Sequence, residues 1–297
     1  MNTIFNDIRT AFTRQGNALN QLILINVLVF VSLILLEVIL LVSNLGFYYE
    51  WMVSQLSLPS DPILFVRRPW TLFTYFFTHR GFLHIIFNML NLYWFGQLIR
   101  EYLGDKKLVS LYILGGLAGG LLYLLVYNFV PFFIERGSAV MIGASASVLA
   151  ITVAAATLLP DYTFNLIFFG PVKIKWIAFF LILLSISGAV GQNAGGNVAH
   201  LGGAILGFVF IRQLQRGHDL GRPIHGFWSF VTNLFTRRPK MKVSYKNTGT
   251  ATAAYRTVPN RPSQTEIDLI LDKISQSGYE SLSKEEKQKL FQASQKE

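Results

Sequence analysis

The chain has no cysteine, so neither a disulfide framework nor a thiolate metal centre is open to it. Charge is scarce too: Asp, Glu, Lys and Arg make up 14% of the 297 residues, against 52% hydrophobic residues and a mean hydropathy of +0.42. An ordinary soluble core could not hide that much apolar surface, and the chain reads as an integral membrane protein. Acids are the rarer sign, 16 against 26 Lys and Arg, for a formal net charge of +10. No internal repeat is evident, which disfavours a transporter built from inverted repeats. No cofactor and no metal ion are expected.

Apolar stretches centred on 21–43, 83–103, 108–130, 142–159, 173–192 and 196–215 approach the roughly 20 residues that cross about 30 Å of hydrocarbon. They predict an all-α membrane protein of six spans. The first stretch is too long for a removable signal peptide and lacks a small-residue cleavage site, so it reads as an anchor. From Arg216 to Arg261 the basic residues Arg222, Arg237, Arg238, Lys240, Lys242, Lys246 and Arg256 face a single acid, Asp219. Such a tail stays cytoplasmic, and its place after the last span favours anionic lipid headgroups over nucleic acid as its partner. Six spans then put the N-terminus, with Arg9 and Arg14, on the same side. Arg100, Lys106, Lys107, Lys173 and Lys175 fall in the inner loops, whereas the outer loop near Gln192 to Asn197 has no charge.

The expected organisation is a cytoplasmic segment 1–20, a six-span domain 21–216, a basic linker 217–262 and a short helical cytoplasmic module 263–297. Between the first two spans, Tyr48, Tyr49, Trp51, Trp70, Tyr75 and Phe76 suit either a structure lying in the membrane interface or an ordinary aromatic belt. In the terminal module, Ser263 with Glu266 and Ser283 with Glu286 have capping-box spacing. Ile267, Ile270, Leu271 and Ile274 make one apolar face, and Ser277-Gly278 breaks the pair into a hairpin.

Spans two, four and six all run from outside to inside, and polar residues stand at their beginnings: His84 and Asn88, then Ser145, then His200. Each would cost about 1 to 3 kcal/mol buried without a partner. A serine needs a base within about 3 Å to become a nucleophile, and imidazole suits that task at neutral pH. His200 shares a helical face with Gly203 and Gly207, glycines that let a neighbouring backbone come close enough for the ring to reach Ser145. Ser145 lies in the first turns of its helix, where its N–H and the positive dipole end can stabilise an oxyanion. His84 and Asn88, four apart, share a face and can donate to the same oxyanion. No carboxylate completes a triad, since Asp161 is sixteen residues on, roughly 24 Å along a helix. The expectation is a Ser–His dyad whose imidazole is oriented by packing and a neighbouring side chain.

Through His79-x4-His84-x3-Asn88, Gly143-Ala144-Ser145-Ala146 and His200-x2-Gly203-x3-Gly207, the sequence resembles the rhomboid family of intramembrane serine proteases over roughly residues 20 to 216. The resemblance implies a rhomboid-like six-helix bundle of the bacterial type, in the inner membrane. It makes Ser145 the nucleophile, His200 the base, and the Ser145 N–H, His84 and Asn88 the oxyanion site, with His79, Gly143, Gly203 and Gly207 in support. Trp70-Thr71 stands where the family frequently has Trp-Arg, and Ala146 where it frequently has glycine. Arg67 or Arg68 is the candidate to replace the missing arginine.

The expected activity is that of a serine endopeptidase cleaving single-pass transmembrane substrates near the extracytoplasmic face. A catalytically silent rhomboid-like binder of membrane proteins and a small-solute transporter are the rivals. Glu37, an acid inside span one, reads as a packing contact. Gly115, Gly116, Gly119 and Gly120 read as close helix packing on span three. His218 and His225 read as solvated.

Overall fold

The computed structural model of the protein describes Asn6, Thr10 and residues 16–166, 169–227 and 263–294. Helices occupy all six apolar stretches: α1 (Ala18–Val42), α2 (Phe82–Leu103), α3 (Asp105–Phe129), α4 (Ser145–Leu158), α5 (Ile174–Gly188) and α6 (Ala194–Gln215). Four of them, α1, α2, α3 and α6, are long and apolar enough to cross a membrane. The other two, α4 and α5, have 14 and 15 residues. At 1.5 Å per residue α4 is about 21 Å long, short of the roughly 30 Å of hydrocarbon. It tolerates this because every residue from Ala146 to Ala156 is buried. These residues meet protein instead of lipid, so the backbone before Ser145 is free to leave the helical form. In contrast, α5 exposes Trp176, Phe179, Phe180, Leu183, Leu184 and Ile186, a surface suited to lipid.

Small residues set the core. A methyl group added at Gly203 would run into the Ala146 carbonyl oxygen, and one at Gly207 into that of Ala150. The glycine face of α6 is thus turned on α4, as its spacing predicts. Gly119 of α3 also approaches the Ala199 carbonyl, at 2.8 Å from an added Cβ, and Gly202 of α6 the Ala118 carbonyl, at 2.7 Å. Backbone-distance packing of this kind replaces the hydrophobic driving force that lipid does not supply between helices. Gly104, with φ +82°, ends α2 and begins α3 at a single residue, a reversal that a Cβ would oppose.

The segment between α1 and α2 folds into helices Gly46–Leu56, Pro62–Arg67 and Thr71–Thr74 and a 3₁₀ turn Tyr75–Phe77. Trp70 Nε1 donates to the Gln55 carbonyl at 2.8 Å, and Thr74 Oγ1 to that of Leu56 at 2.9 Å. The Thr71 hydroxyl closes the Arg68 carbonyl at 2.6 Å. Arg68, not Arg67, is the arginine that reaches the first of these helices, at 3.4 Å from the Ser54 carbonyl. The segment is also pinned to α3, where the Tyr75 hydroxyl donates to the Gly116 carbonyl at 2.6 Å. A two-residue ladder pairs β1 (Leu58–Pro59) with β2 (Val140–Met141), which leads into α4.

Three local features depart from the sequence reading. Thr163–Leu166 and Gly170–Lys173 pair as an antiparallel hairpin where an all-α chain was expected to loop. Beside it, Lys173 and Lys175 each donate to an Asp161 carboxylate oxygen at 2.9 Å. The two ammonium groups, Lys175 foremost, hold that carboxyl down at about 2. A carbon-detected NMR titration should find the Asp161 midpoint near 2. Replacing both lysines by Met should return it toward about 3.9, and an unchanged midpoint would dismiss the pairing. The ion pairs are therefore kept above about pH 4 and lost as pH falls through about 2. Second, His225 is not solvated: its Nε2 lies 3.2 Å from Ser110 Oγ on α3, while Asp219 is ion-paired with Lys107. The first residues of the expected linker thus pack on the membrane unit, His218 alone of the two histidines being exposed; residues 228–262, with most of the basic tail, lie outside the described residues.

The C-terminal residues form a separate compact unit containing α7 (Gln264–Ser277) and α8 (Lys284–Ser294). Ser263 accepts from the Glu266 N–H while Glu266 accepts from the Ser263 N–H, the expected capping box. Lys273 and Lys289 bridge to Glu286 and Glu266 across the hairpin. The third departure is here, since Ile270 is buried but Leu271 remains half exposed.

Candidate functional site

A cavity of about 680 Å³ opens where α2, α4 and α6 begin, and α5 closes one side of it. Ser145, His200, His84 and Asn88 all line it, so the residues singled out on three separate apolar stretches meet in one place. Arg80, Asn91, Thr152, Ser185, Asn193 and Asn197 line it as well. None of these six stood out in the sequence; Asn193 and Asn197, four apart at the head of α6, were the legible pair.

Ser145 is the first residue of α4, preceded by Gly143 at φ +116° and by the β2 strand. Because helical N–H groups in the first turn have no partner within the helix, the site offers donors and a positive dipole end beside the hydroxyl. Gly143 is required for a second reason: an added Cβ would sit 2.8 Å from His84 Nε2. Absence of a side chain there lets the His84 ring lie against the turn. Asn88 Nδ2 donates to the His84 carbonyl at 2.9 Å, which uses one of its two hydrogens and leaves the other for the cavity. Ser145 and His200 are both half-buried and no direct hydrogen bond joins them among the described residues. Such contacts are often open in a free site and close on substrate.

His79 stands behind the turn. Its Nε2 accepts the Ala144 N–H at 3.3 Å, while Gly143 donates to the Tyr75 carbonyl at 2.9 Å. Burial, and then the neighbouring His84 ring, hold the His79 imidazole down at about 4, so it is neutral and able to accept. The ring is 5.2 Å from that of His84. A smaller cavity of about 130 Å³ on its far side is lined by Glu37, Tyr49, Glu50 and Arg80, with Arg80 paired to Glu50 at 2.5 Å. Glu37 is accordingly a neighbour of this polar cluster and is absent from the Ser145 cavity.

His200 is oriented from α5. Its Nδ1 lies 3.1 Å from the Ser185 hydroxyl, and Ser185 is the one polar residue that α5 buries. A second serine near Ser145, Ser147, is wholly buried against α3, with its Oγ 2.7 Å from a Cβ added at Gly116. It faces away from the cavity. Among the described residues no group of His, Asp and Glu is arranged to hold a metal ion.

Comparison with known proteins agrees with this architecture. The rhomboid domain family matches residues 66–216, and a family of unknown function (DUF6576) matches 260–296. RHOMBOID-like protein 12, mitochondrial, of Arabidopsis thaliana is 30% identical over 196 residues, covering 60% of this chain and 58% of that protein. Presenilin-associated rhomboid-like protein A, mitochondrial, of Danio rerio is 28% identical over 178 residues, covering 55% and 42%. Rhomboid-like protein 16, chloroplastic, of Arabidopsis thaliana is 28% identical over 180 residues, covering 56% and 55%. The chain spans about half the length of these relatives, and their names place them in organelles, not in a bacterial inner membrane. The matched region takes in α2 to α6 and every residue that lines the larger cavity, and from this the chain is identified as an integral membrane protein belonging to the rhomboid family.

Proposed function

We propose that the protein is an intramembrane serine endopeptidase acting on single-pass transmembrane segments. Ser145 attacks the peptide carbonyl, His200 takes its proton and returns it to the leaving amine, and water hydrolyses the acyl-enzyme with His200 again as base. The Ser145 N–H, His84 and Asn88 stabilise the oxyanion. The observation that carries this reading is the convergence of these four residues, from three helices, on one open cavity. Its polar lining supports the entry of water that hydrolysis requires.

The substrate must leave its own helical hydrogen bonds to present a carbonyl, so segments with helix-destabilising residues are the expected class. Charge distribution supports a membrane orientation with both termini cytoplasmic and the cavity toward the opposite face. The bacterial inner membrane is part of this proposal, on the six-span resemblance alone.

The test is cleavage of a panel of single-pass segments by the purified protein in vesicles, with products mapped by mass spectrometry. Cleavage toward the extracytoplasmic end of susceptible segments is expected. No cleavage of any segment, with tight binding instead, would contradict the enzyme reading. Within this scheme Asn88→Ala should lower kcat about 100-fold with little change in KM, the loss of one oxyanion donor. A change confined to KM would remove Asn88 from that role.

A further inference from the structure

The contacts of Ser185 go further than orientation of a ring. Its hydroxyl sits 2.9 Å from the Leu181 carbonyl oxygen one turn back on α5 and 3.1 Å from His200 Nδ1. A hydroxyl has one hydrogen to give and lone pairs to receive with. If Nδ1 carried no proton, the carbonyl and the ring nitrogen would compete for that single hydrogen, and one contact would set lone pair against lone pair. With a proton on Nδ1, both contacts are hydrogen bonds: the hydroxyl donates to Leu181, and Nδ1–H donates to the hydroxyl oxygen. Ser185 is 3% exposed, so water is poorly placed to relieve the mismatch.

From this arrangement we infer that Ser185 is a positioning residue that selects the Nδ1–H tautomer of His200 and so leaves Nε2 bare, as a base, on the side of the Ser145 cavity. This rests on the proposed serine-protease reading and deepens it. The dyad gains a third member in a neutral serine from α5. A hydroxyl does for the imidazole what a buried carboxylate does in a Ser-His-Asp triad, fixing tautomer and orientation without adding a charge to the bilayer interior.

Serine and base come from α4 and α6, which are locked at backbone distance, whereas the tautomer is chosen from α5, a third helix. The second α5 serine, Ser187, is exposed and provides a control on the same helix.

The test uses full-length protein in vesicles, labelled with ¹⁵N at histidine. In wild type, the His200 resonances should report a protonated Nδ1 and an unprotonated Nε2 above the titration of the ring. Ser185→Ala should shift the population toward Nε2–H and lower kcat about tenfold, with KM unchanged within about twofold. Ser185→Thr, which keeps the oxygen, should recover most of the rate and the wild-type tautomer, and Ser187→Ala should alter neither. A wild-type ring protonated on Nε2, or an unchanged tautomer and kcat in Ser185→Ala, would overturn the proposal. Failure of the parent reading is separately visible, because cleavage would then survive Ser145→Ala. If Ser145→Ala abolishes cleavage while Ser185→Ala leaves the tautomer as it was, only the role of Ser185 falls.

Discussion

Replacing Ser145 by Ala should lower the cleavage rate by at least about 10⁴-fold, and His200→Ala should do nearly the same, because in the proposed mechanism nucleophile and base act as one unit. Both variants should retain substrate binding, since neither side chain shapes more than a small part of the cavity wall. The double variant should be no worse than either single one. Non-additivity of that kind distinguishes a working pair from two residues that merely support the fold. Ser147→Ala is the informative companion: its hydroxyl is two residues from the nucleophile but sealed against α3, so the variant should keep wild-type activity within about threefold. Rate comparison of wild type and the four variants on one susceptible segment checks all of this. Equal cleavage by wild type and Ser145→Ala would remove the proposed chemistry.

The second large effect is expected at Gly203. Its missing side chain lets α6 lie on the Ala146 backbone, one residue from Ser145, and three residues along α6 from His200. Valine there must push the helices apart or break rotamers, at about 3 kcal/mol for overpacking of this kind. The same displacement moves the base relative to the serine, and a shift of about 1 Å costs roughly 100-fold in rate. Gly203→Val should therefore lose stability in a detergent unfolding series and activity together. Gly207→Val, one turn deeper against Ala150, should lose stability with a smaller effect on rate. Ile205→Ala, on the exposed side of the same helix, should change both little. A Gly203→Val protein as stable and active as wild type would mean that α6 does not depend on this contact.

These expectations trace how far the residues announced the fold. The six helices were legible because apolar length is a property of sequence alone, and the cavity because three polar clusters fell at the start of every second helix. The glycine seam followed from period and residue size. Shortness of α4 was not legible, since a single glycine at 143 lowers helix propensity without ending an apolar helix, and only the β2 pairing and the positive φ of Gly143 fix the break. The Thr163–Lys173 hairpin escaped because strands of four residues leave almost no periodic signal.

Ser185 was hidden for a different reason. A serine or threonine in an apolar helix satisfies itself on the carbonyl one turn back, as Thr152 and Thr157 do on Val148 and Val153. From sequence, such a residue is indistinguishable from one that also serves a partner. Only the meeting of α5 with α6 separates Ser185 from the rest. The capping box at Ser263 is the opposite case, local chemistry that the sequence states in full. His225 failed because its partner, Ser110, is 115 residues away.

The central claim is that Ser145 is made nucleophilic by His200 across the shared cavity. Its most direct measurement is reaction of the folded protein with a fluorophosphonate, with the modified residue located by mass spectrometry. The account predicts a single adduct on Ser145, lost in His200→Ala and kept in Ser147→Ala. No adduct, or one on a serine outside the cavity, would contradict it.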